Sequence, residues 1–328
     1  MTDRHSVNLL TDAAADVSVV IVNYNTSHLL SEMFGALAKS RAGLRLQIIF
    51  IDNDSRDDSV AVMHRDFPEV QLIVNSSNVG FGRANNQALP FITGRHVLLL
   101  NTDAFTAPDT LSKTVAYMDA HPDCGILGVR LVGRDGALQP SCRYAPNLLN
   151  VFLARTGLKR LFPGVRMVDD MTWDHTSVRE CDWVPGCYYL MRRQLVDEVG
   201  LFDPRFFLYY EEVDHCRVAQ QAGWKIVFYP HTSVVHIGGE SAKSLSEITA
   251  SGRQISALQI ESELLYFRKH HGLPGALGSG AAASVADALL ALKALLKGRP
   301  RDLASLGRHF RTYWQLLART HLGAKPTR

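Results

Sequence analysis

Apolar residues in this chain come in short continuous runs, separated by segments with helical periodicity. VSVVIVNYN (17–25) opens as a β-branched run and predicts a buried strand. Thr26 or Ser27 is placed to cap a following helix, SHLLSEMFGALAKS. LQIIFIDNDS (46–55) predicts a second strand, RDDSVAVMHRDF a helix with acids in its first turn, and VQLIVNSS a third strand. NVGFGRANNQALPFI predicts a glycine turn leading into a helix. HVLLL (96–100) predicts a fourth strand, PDTLSKTVAYMDAH a helix with Pro108 near its start, and GILGVRLV a fifth strand. This alternation with short connections predicts an α/β fold with a mostly parallel, Rossmann-like sheet flanked by helices. Such sheets bind ligands beyond the carboxyl ends of their strands, and here the ends NYN, DNDS and NTD are polar.

The second half is less regular. Residues 136–180 carry prolines and arginines with little periodicity and are expected to form a long excursion. DWVPGCYYLMRR (182–193) predicts a strand around a Pro-Gly turn, and YYEEVDHCRVAQQAGW (209–224) a helix closing at Gly223. KIVFYP and TSVVHIGGES predict two short strands, and 245–271 a helix. Gly272 to Gly280 is glycine-rich and is expected to be a linker. An amphipathic helix over 284–299 and a final helical piece near 301–320 are expected after it.

Composition narrows the class. The 328 residues are 46% hydrophobic and 20% charged, enough for one large α/β domain plus an appendage. A net charge of +3 does not suggest a nucleic-acid binder. The five cysteines include no C-x-x-C, so a reducing compartment is expected rather than a disulfide framework or a zinc knuckle. The N-terminal stretch has no apolar run suited to a signal peptide, and no transmembrane helix is expected.

Asp103 ends the fourth strand. A carboxylate there suits a divalent cation held against a diphosphate, and equally a turn or helix cap. Asp52 and Asn53 can accept from base or ribose donors, or form an Asx-turn. Asn78, Gly80 and Arg83 belong to a turn that can bring backbone N–H groups and a positive charge to phosphate, or be an ordinary tight turn. No dinucleotide fingerprint or P-loop is present. Glu211, Glu212 and Asp214 are either dipole-favoured acids of a first helical turn or include a general base. His236 is either structural or a metal ligand. Trp183 is equally a sugar-stacking platform and a core residue.

Taken in order, VSVVIVNYN, IIFIDNDS, NVGFGRANN, LLLNTD, WVPGCYYLMRR, LFDPRFFLYYEEVDHCRVAQQAG and VVHIGGES resemble the family-2 inverting glycosyltransferases of the GT-A fold, in their rhamnosyltransferase-like branch. The resemblance covers roughly residues 17–271. It implies a nucleotide-sugar-binding half over 17–135 after a tail (1–16), an acceptor-binding and catalytic half over 136–271, and a C-terminal helical extension over 272–328. Val22, Tyr24, Asp52, Asn53, Asn78, Gly80, Arg83, Asn101 and Asp103 would then bind the nucleotide-sugar. Asn53 stands where many members have Asp, and Asn101 replaces the first acid of the D-x-D motif. Glu212 would be the catalytic base, where aspartate is usual. Trp183, Gly186 and Glu211 would face the acceptor or sugar, and Asp103 and His236 a divalent cation, Mg²⁺ or Mn²⁺.

The same resemblance implies inversion by single displacement. The donor would be a nucleotide-sugar, dTDP-L-rhamnose ahead of a UDP-hexose, and the acceptor a glycan or lipid-linked glycan of a bacterial cell surface. ALLALKALLKGRPR has an apolar face followed by basic residues, which suits an interfacial helix or a packing helix. Peripheral contact with the inner face of the cytoplasmic membrane is therefore expected, and homo-oligomerisation fits the same face. A nucleotidyltransferase would need a glycine- and basic-rich first loop, which VNYNTSHLL lacks. A non-catalytic nucleotide-sugar-binding homologue is the remaining alternative.

Overall fold

The computed structural model describes residues 15–238 and 253–328. Residues 1–14 of the expected tail (1–16), the residues 245–252 of an expected helix, and the end of the GGES segment lie outside the described residues. The first strand, β1 (Val17–Asn23), pairs in parallel with β2 (Leu46–Asp52), which pairs in parallel with β3 (Gln71–Val74). The fourth, β4 (His96–Leu100), lies on the other side of β1, again parallel, and is buried along its whole length. The chain therefore builds outward through β2 and β3 and then reverses to β4. The crevice between the ends of β1 and β4 is the topological switch point, where open α/β sheets bind ligands.

Helices α1 (Ser27–Ser40), α2 (Ser59–Asp66), α3 (Phe81–Asn86) and α4 (Thr110–Ala120) follow the expected segments. In α1 the buried Leu29, Leu30, Met33, Phe34 and Leu37 recur at helical spacing. Thr26 does not cap this helix. Its hydroxyl donates to Asn23 Oδ1 at 2.6 Å and meets the Thr102 hydroxyl at 2.8 Å, which ties the end of β1 to the triplet after β4.

Beyond β4 the sheet departs from a parallel succession. A short strand β5 (Ala104–Thr106) follows the triplet directly. The expected fifth strand is β6 (Cys124–Val132), but it does not neighbour β4. Between them lies β9 (Tyr188–Arg192), antiparallel to both. Its Tyr188 and Tyr189 are fully buried, in keeping with its position inside the sheet. Two short strands, β7 (Leu138–Gln139) and β8 (Arg179–Glu180), pair at the margins. KIVFYP and TSVVHI form a single strand, β10 (Lys225–His236), parallel to β6 with a register shift between Tyr229 and Ser233. Pro230 lies in that shift, where a missing N–H costs no ladder bond.

The excursion over 136–180 contains α5 (Leu148–Thr156), started by a capping box in which Asn147 and Asn150 bond reciprocally. Next come α6 (Arg193–Val199) and α7 (Glu211–Gln221). The expected linker is not one: the helix Arg253–Leu296 runs through it and breaks only at Gly272 (φ 66°). Gly275, just past the break, is required by close approach of the chain before it, since a Cβ there would lie 2.6 Å from the Phe267 carbonyl oxygen. Lys269 and His270 of this helix bind Asp214 at 2.7 and 2.6 Å, which pins α7 to it. By length and apolar composition its Ala257–Leu296 part would suffice to cross a membrane, which the sequence reading did not expect. The last helix, Arg301–Arg319, packs back along it.

Candidate active site

A cavity of about 270 Å³ opens at the switch point. It brings together Val22, Tyr24, Asn53, Asn78, Gly80, Asn101, Asp103, Gly186, Glu211, Glu212 and His236, residues spread over more than two hundred positions of the chain.

Asp103 and His236 meet because β10 runs antiparallel to β5 and ends beside it. Ile237 N–H donates to the Asp103 carbonyl at 3.0 Å, closing the chain around the carboxylate. Asp103 is nearly buried, and its Oδ1 lies 3.7 Å from His236 Nε2. The other imidazole nitrogen, Nδ1, meets Gln139 Oε1 at 3.0 Å, while Gln139 Nε2 donates to the His236 carbonyl at 2.8 Å. Oε1 can only accept, so Nδ1 carries a proton, and whenever the ring is neutral Nε2 presents its lone pair. A carboxylate oxygen and an imidazole lone pair then face each other. Their separation falls within the roughly 4 Å that two ligands at ~2.1 Å from one cation can span. This donor pair fits a divalent cation that takes its remaining ligands from phosphate and water. Among the described residues no cluster of three or more His, Cys, Asp and Glu side chains is present, so any such cation is shared with its ligand. Asn101 is held by its N–H to the Cys187 carbonyl at 3.1 Å.

Glu211 and Glu212 begin α7, and each has a buried Oε2 without a hydrogen-bond partner. Burial pushes Glu211 well above the ordinary carboxyl range, and the neighbouring Glu212 charge pushes it further. Burial also raises Glu212, but the Arg143 charge and the Gly186 backbone act in the opposite direction. Glu212 is therefore the acid of the pair that ionises first, and Glu211 keeps the proton. The preceding Tyr209 and Tyr210 both adopt left-handed backbone, at φ 71° and 68°. Each costs on the order of 1–2 kcal/mol in a non-glycine residue. The expected helix start at 209 is thus displaced to Glu211, and the strained pair turns the acids into the cavity.

Glu211 has a sign-definite consequence for stability. Its folded pKa lies above its unfolded value of 4.5, so its favourable contribution is complete below that value and lost as pH rises through the folded pKa. Glu211→Gln is expected to raise the melting temperature at pH 8 more than at pH 4. The gain at pH 8 is the cost of ionising a buried carboxyl, which the neutral amide avoids; the amide leaves the same site polar and unpartnered, so little gain is expected at pH 4. Thermal melts at the two pH values measure it.

Asn53 is a hub. Its Oδ1 accepts from Asn75 Nδ2 and Val79 N–H, both at 3.1 Å, and its Nδ2 donates to Asn78 Oδ1 at 2.9 Å. An aspartate would lack that donor and set a carboxylate against the Asn78 acceptor. This accounts for asparagine here. Asn53→Asp is expected to lower stability by about 1–3 kcal/mol, read from urea unfolding midpoints. At the glycine turn, Gly80 N–H donates to Asn78 Oδ1 at 2.9 Å and Phe81 N–H to the Phe207 carbonyl at 2.8 Å. The donors that a phosphate would use there are engaged by the protein. Gly80, at φ 89°, is required by the approach of Phe207, whose carbonyl oxygen would lie 2.5 Å from an added Cβ.

Three of the sequence candidates lie apart from the cavity wall. Asp52 sits behind it, accepting from Asn23 Nδ2 and Ser55 N–H, each at 2.9 Å, and so fastens β1 to β2. Arg83 donates to the Pro204 carbonyl at 2.7 Å and the Arg328 carbonyl at 3.0 Å. Trp183 is buried, donating to the Tyr144 carbonyl at 3.0 Å beneath the Arg143 guanidinium at 4.1 Å. Sequence reasoning missed Thr102, Phe207, Leu208 and Tyr209 as wall residues. The aromatic run RFFLYY ahead of the acids was the available signal.

Comparison with known proteins gives the family and the fold. The family model described as "Glycosyl transferase family 2" matches residues 18–214, which include both strand-end carboxylates and both glutamates. A curated relative, N-acetylglucosaminyl-diphospho-decaprenol L-rhamnosyltransferase from Mycobacterium tuberculosis, is 26% identical over 238 residues, 66% of this chain and 75% of that protein. Low-salt glycan biosynthesis hexosyltransferase Agl10 from Haloferax volcanii is 20% identical over 210 residues, 63% of this chain and 62% of that protein. The mannosyltransferase PcManGT from Pyrobaculum calidifontis, solved in complex with GDP-Man and Mn2+, shares the fold. Its TM-score is 0.54 at 18% identity, over 97% of this chain and 87% of that one. The curled, mostly parallel sheet with flanking helices is the GT-A fold. With the family model covering more than half of its length, this chain is a member of glycosyl transferase family 2.

Proposed function

We propose that the chain transfers L-rhamnose from dTDP-L-rhamnose, with inversion, to a hydroxyl of a lipid-linked glycan acceptor. The observation that carries an inverting transfer is the arrangement of one ionisable glutamate, Glu212, and a cation-competent pair, Asp103 and His236, around a single cavity. The rhamnose donor and lipid-linked acceptor are supported by the mycobacterial relative's name and by the order of motifs. A UDP-hexose is the alternative donor.

In the mechanism, Glu212 takes the proton of the acceptor hydroxyl as that oxygen attacks the anomeric carbon. The bond to the leaving diphosphate breaks in the same step, so the enzyme needs no nucleophile of its own. Protonated Glu211 can donate a hydrogen bond to a substrate oxygen, which orients the acceptor. Asp103 and His236 would hold a divalent cation, which supplies Lewis-acid neutralisation of the departing diphosphate when bound.

The C-terminal helices support peripheral membrane contact. Val285, Leu289, Leu292 and Leu296 are exposed at helical spacing, and Phe310 and Trp314 are exposed on the last helix. Lys293, Lys297, Arg299, Arg308 and Arg311 accompany them, which suits the interface of an anionic bilayer. Co-sedimentation with anionic but not neutral vesicles is expected; recovery in the supernatant with both would rule this contact out. The transfer itself is tested by proton NMR of the product made from dTDP-L-rhamnose and a lipid-linked acceptor. Inverted anomeric configuration is expected, and retained configuration would overturn the single-displacement reading.

A further inference from the structure

Past the last helix the chain turns back on itself. His321 and Leu322 adopt left-handed backbone, at φ 51° and 59°, and Gly323 follows at φ 77°. Thr320 Oγ1 accepts from the Gly323 N–H at 3.0 Å. A Cβ at 323 would lie 2.5 Å from the Leu264 carbonyl oxygen, so only glycine allows this approach to the helix Arg253–Leu296. The turn lays residues 323–328 against that helix. Its Glu261 is buried, and Thr327 takes both carboxylate oxygens: the N–H donates to Oε1 at 2.6 Å and the hydroxyl to Oε2 at 2.8 Å. A buried carboxylate without donors is costly, so this contact is held from both sides. The exposed Arg328 follows, with its guanidinium 5.1 Å from the centroid of the Phe207 ring, within cation–π range. Its main-chain oxygen accepts from Arg83 Nη2 at 3.0 Å, while Arg83 Nε donates to the Pro204 carbonyl at 2.7 Å. Arg83 thus joins the glycine turn, the loop 203–210 and the segment 323–328.

The loop 203–210 is where these contacts converge. Its Phe207, Leu208 and Tyr209 wall the active-site cavity, and Glu211 and Glu212 follow it directly. Its start is fixed by Lys269 Nζ, which donates to Asp203 Oδ2 at 2.8 Å. Its end carries the left-handed Tyr209 and Tyr210. Such backbone persists only where the surroundings over-determine it. Here the surroundings act on consecutive wall residues. Phe207 has the Arg328 guanidinium at its ring and the Phe81 N–H at its carbonyl, the latter at 2.8 Å. The Leu208 carbonyl accepts from Ser262 Oγ at 2.8 Å, and Ser262 is the neighbour of the Glu261 that Thr327 binds.

We propose that residues 323–328 are a positioning strap. Arg328 on Phe207 and Thr327 on Glu261 hold the 203–210 loop in the shape that walls the nucleotide-sugar cavity and presents Glu212, and Arg83 serves this strap rather than a phosphate. The functional part rests on the transferase reading of the cavity; the bracing of the loop does not.

The test uses the full chain with Thr327→Val and Arg328→Ala combined, beside the conservative pair Thr327→Ser and Arg328→Lys. Hydrogen exchange is followed at two amides that bond into the loop, Phe81 to the Phe207 carbonyl and Phe206 to the Asp203 carbonyl. Both are expected to exchange roughly tenfold faster in the first pair, with the amides of β1 and β4 unchanged. The dissociation constant for dTDP with Mn²⁺ is expected to rise about five- to tenfold, the scale of coupling between linked sites. The conservative pair is expected to restore both, which a merely structural loss of stability would not separate from the sheet. Should the first pair fail to fold, Arg328→Ala alone alters only an exposed side chain and is read in the same way. Exchange at Phe81 and Phe206 as in the unaltered chain would overturn the proposal. So would faster exchange with nucleotide affinity and turnover unchanged. If the unaltered chain binds no nucleotide while exchange at the two amides still rises in the variant, the transferase reading falls and the bracing stands.

Discussion

Glu212→Gln leaves the fold in place and lowers turnover by about 10²–10⁴, the range that a positioned general base contributes. Glutamine matches the shape of the side chain and cannot take the acceptor proton. Its Nε2 would stand where a buried, unpartnered oxygen now stands, so the loss is chemical rather than architectural. The pH profile of the unaltered protein carries the same signature. Burial raises the Glu212 pKa, and the base must be ionised, so activity falls as pH drops through a value above that of an ordinary glutamate. The acid limb of kcat/KM is therefore expected at a higher pH than for an exposed carboxylate, and it disappears in Glu212→Gln. Steady-state rates over pH 4–9 would show both; near-normal turnover of a folded variant would refute the role of base.

Asp103→Ala is expected to abolish metal-dependent nucleotide binding and to lower turnover by about 10²–10³, comparable to losing one main stabiliser of developing negative charge. Only His236 Nε2 would remain of the protein donor pair, and a single neutral ligand holds a hard cation poorly. Gln139→Leu separates the contributions. It removes the acceptor that keeps the proton on Nδ1 and leaves Asp103 in place, so metal affinity is expected to fall by about 10–100-fold, less than for Asp103→Ala. Titration of Mn²⁺ in the presence of nucleotide gives both affinities.

The strands β1, β2 and β4 were legible because each is buried on both faces and so appears as an unbroken apolar run. The site at their ends followed from the same pattern, since the switch between β1 and β4 is where such a sheet opens. The insertion of β9 between β4 and β6 was not legible. YYLMR has strand character, but which strands it joins is decided by packing across nearly a hundred residues of chain. The linker reading of Gly272–Gly280 failed for a physical reason: glycine there allows close approach of the preceding chain as well as a bend. Asn53 looked like a base- or ribose-contacting residue, and the structure adds that its amide ties three backbone and side-chain groups of the 75–79 loop. The left-handed Tyr209 and Tyr210 carry no sequence signal, because aromatic residues rarely adopt that conformation unless surrounding contacts impose it.

A thermal-shift panel of dTDP, UDP and GDP, each with and without Mn²⁺, tests the central claim most directly. Binding to the folded state raises the melting temperature by mass action. The account predicts a shift that depends on Mn²⁺, is largest for dTDP, and is lost in Asp103→Ala. A shift with UDP instead would keep the site and change the donor. No shift with any nucleotide, at concentrations well above millimolar, would contradict a cation-assisted nucleotide-sugar site at the end of β4.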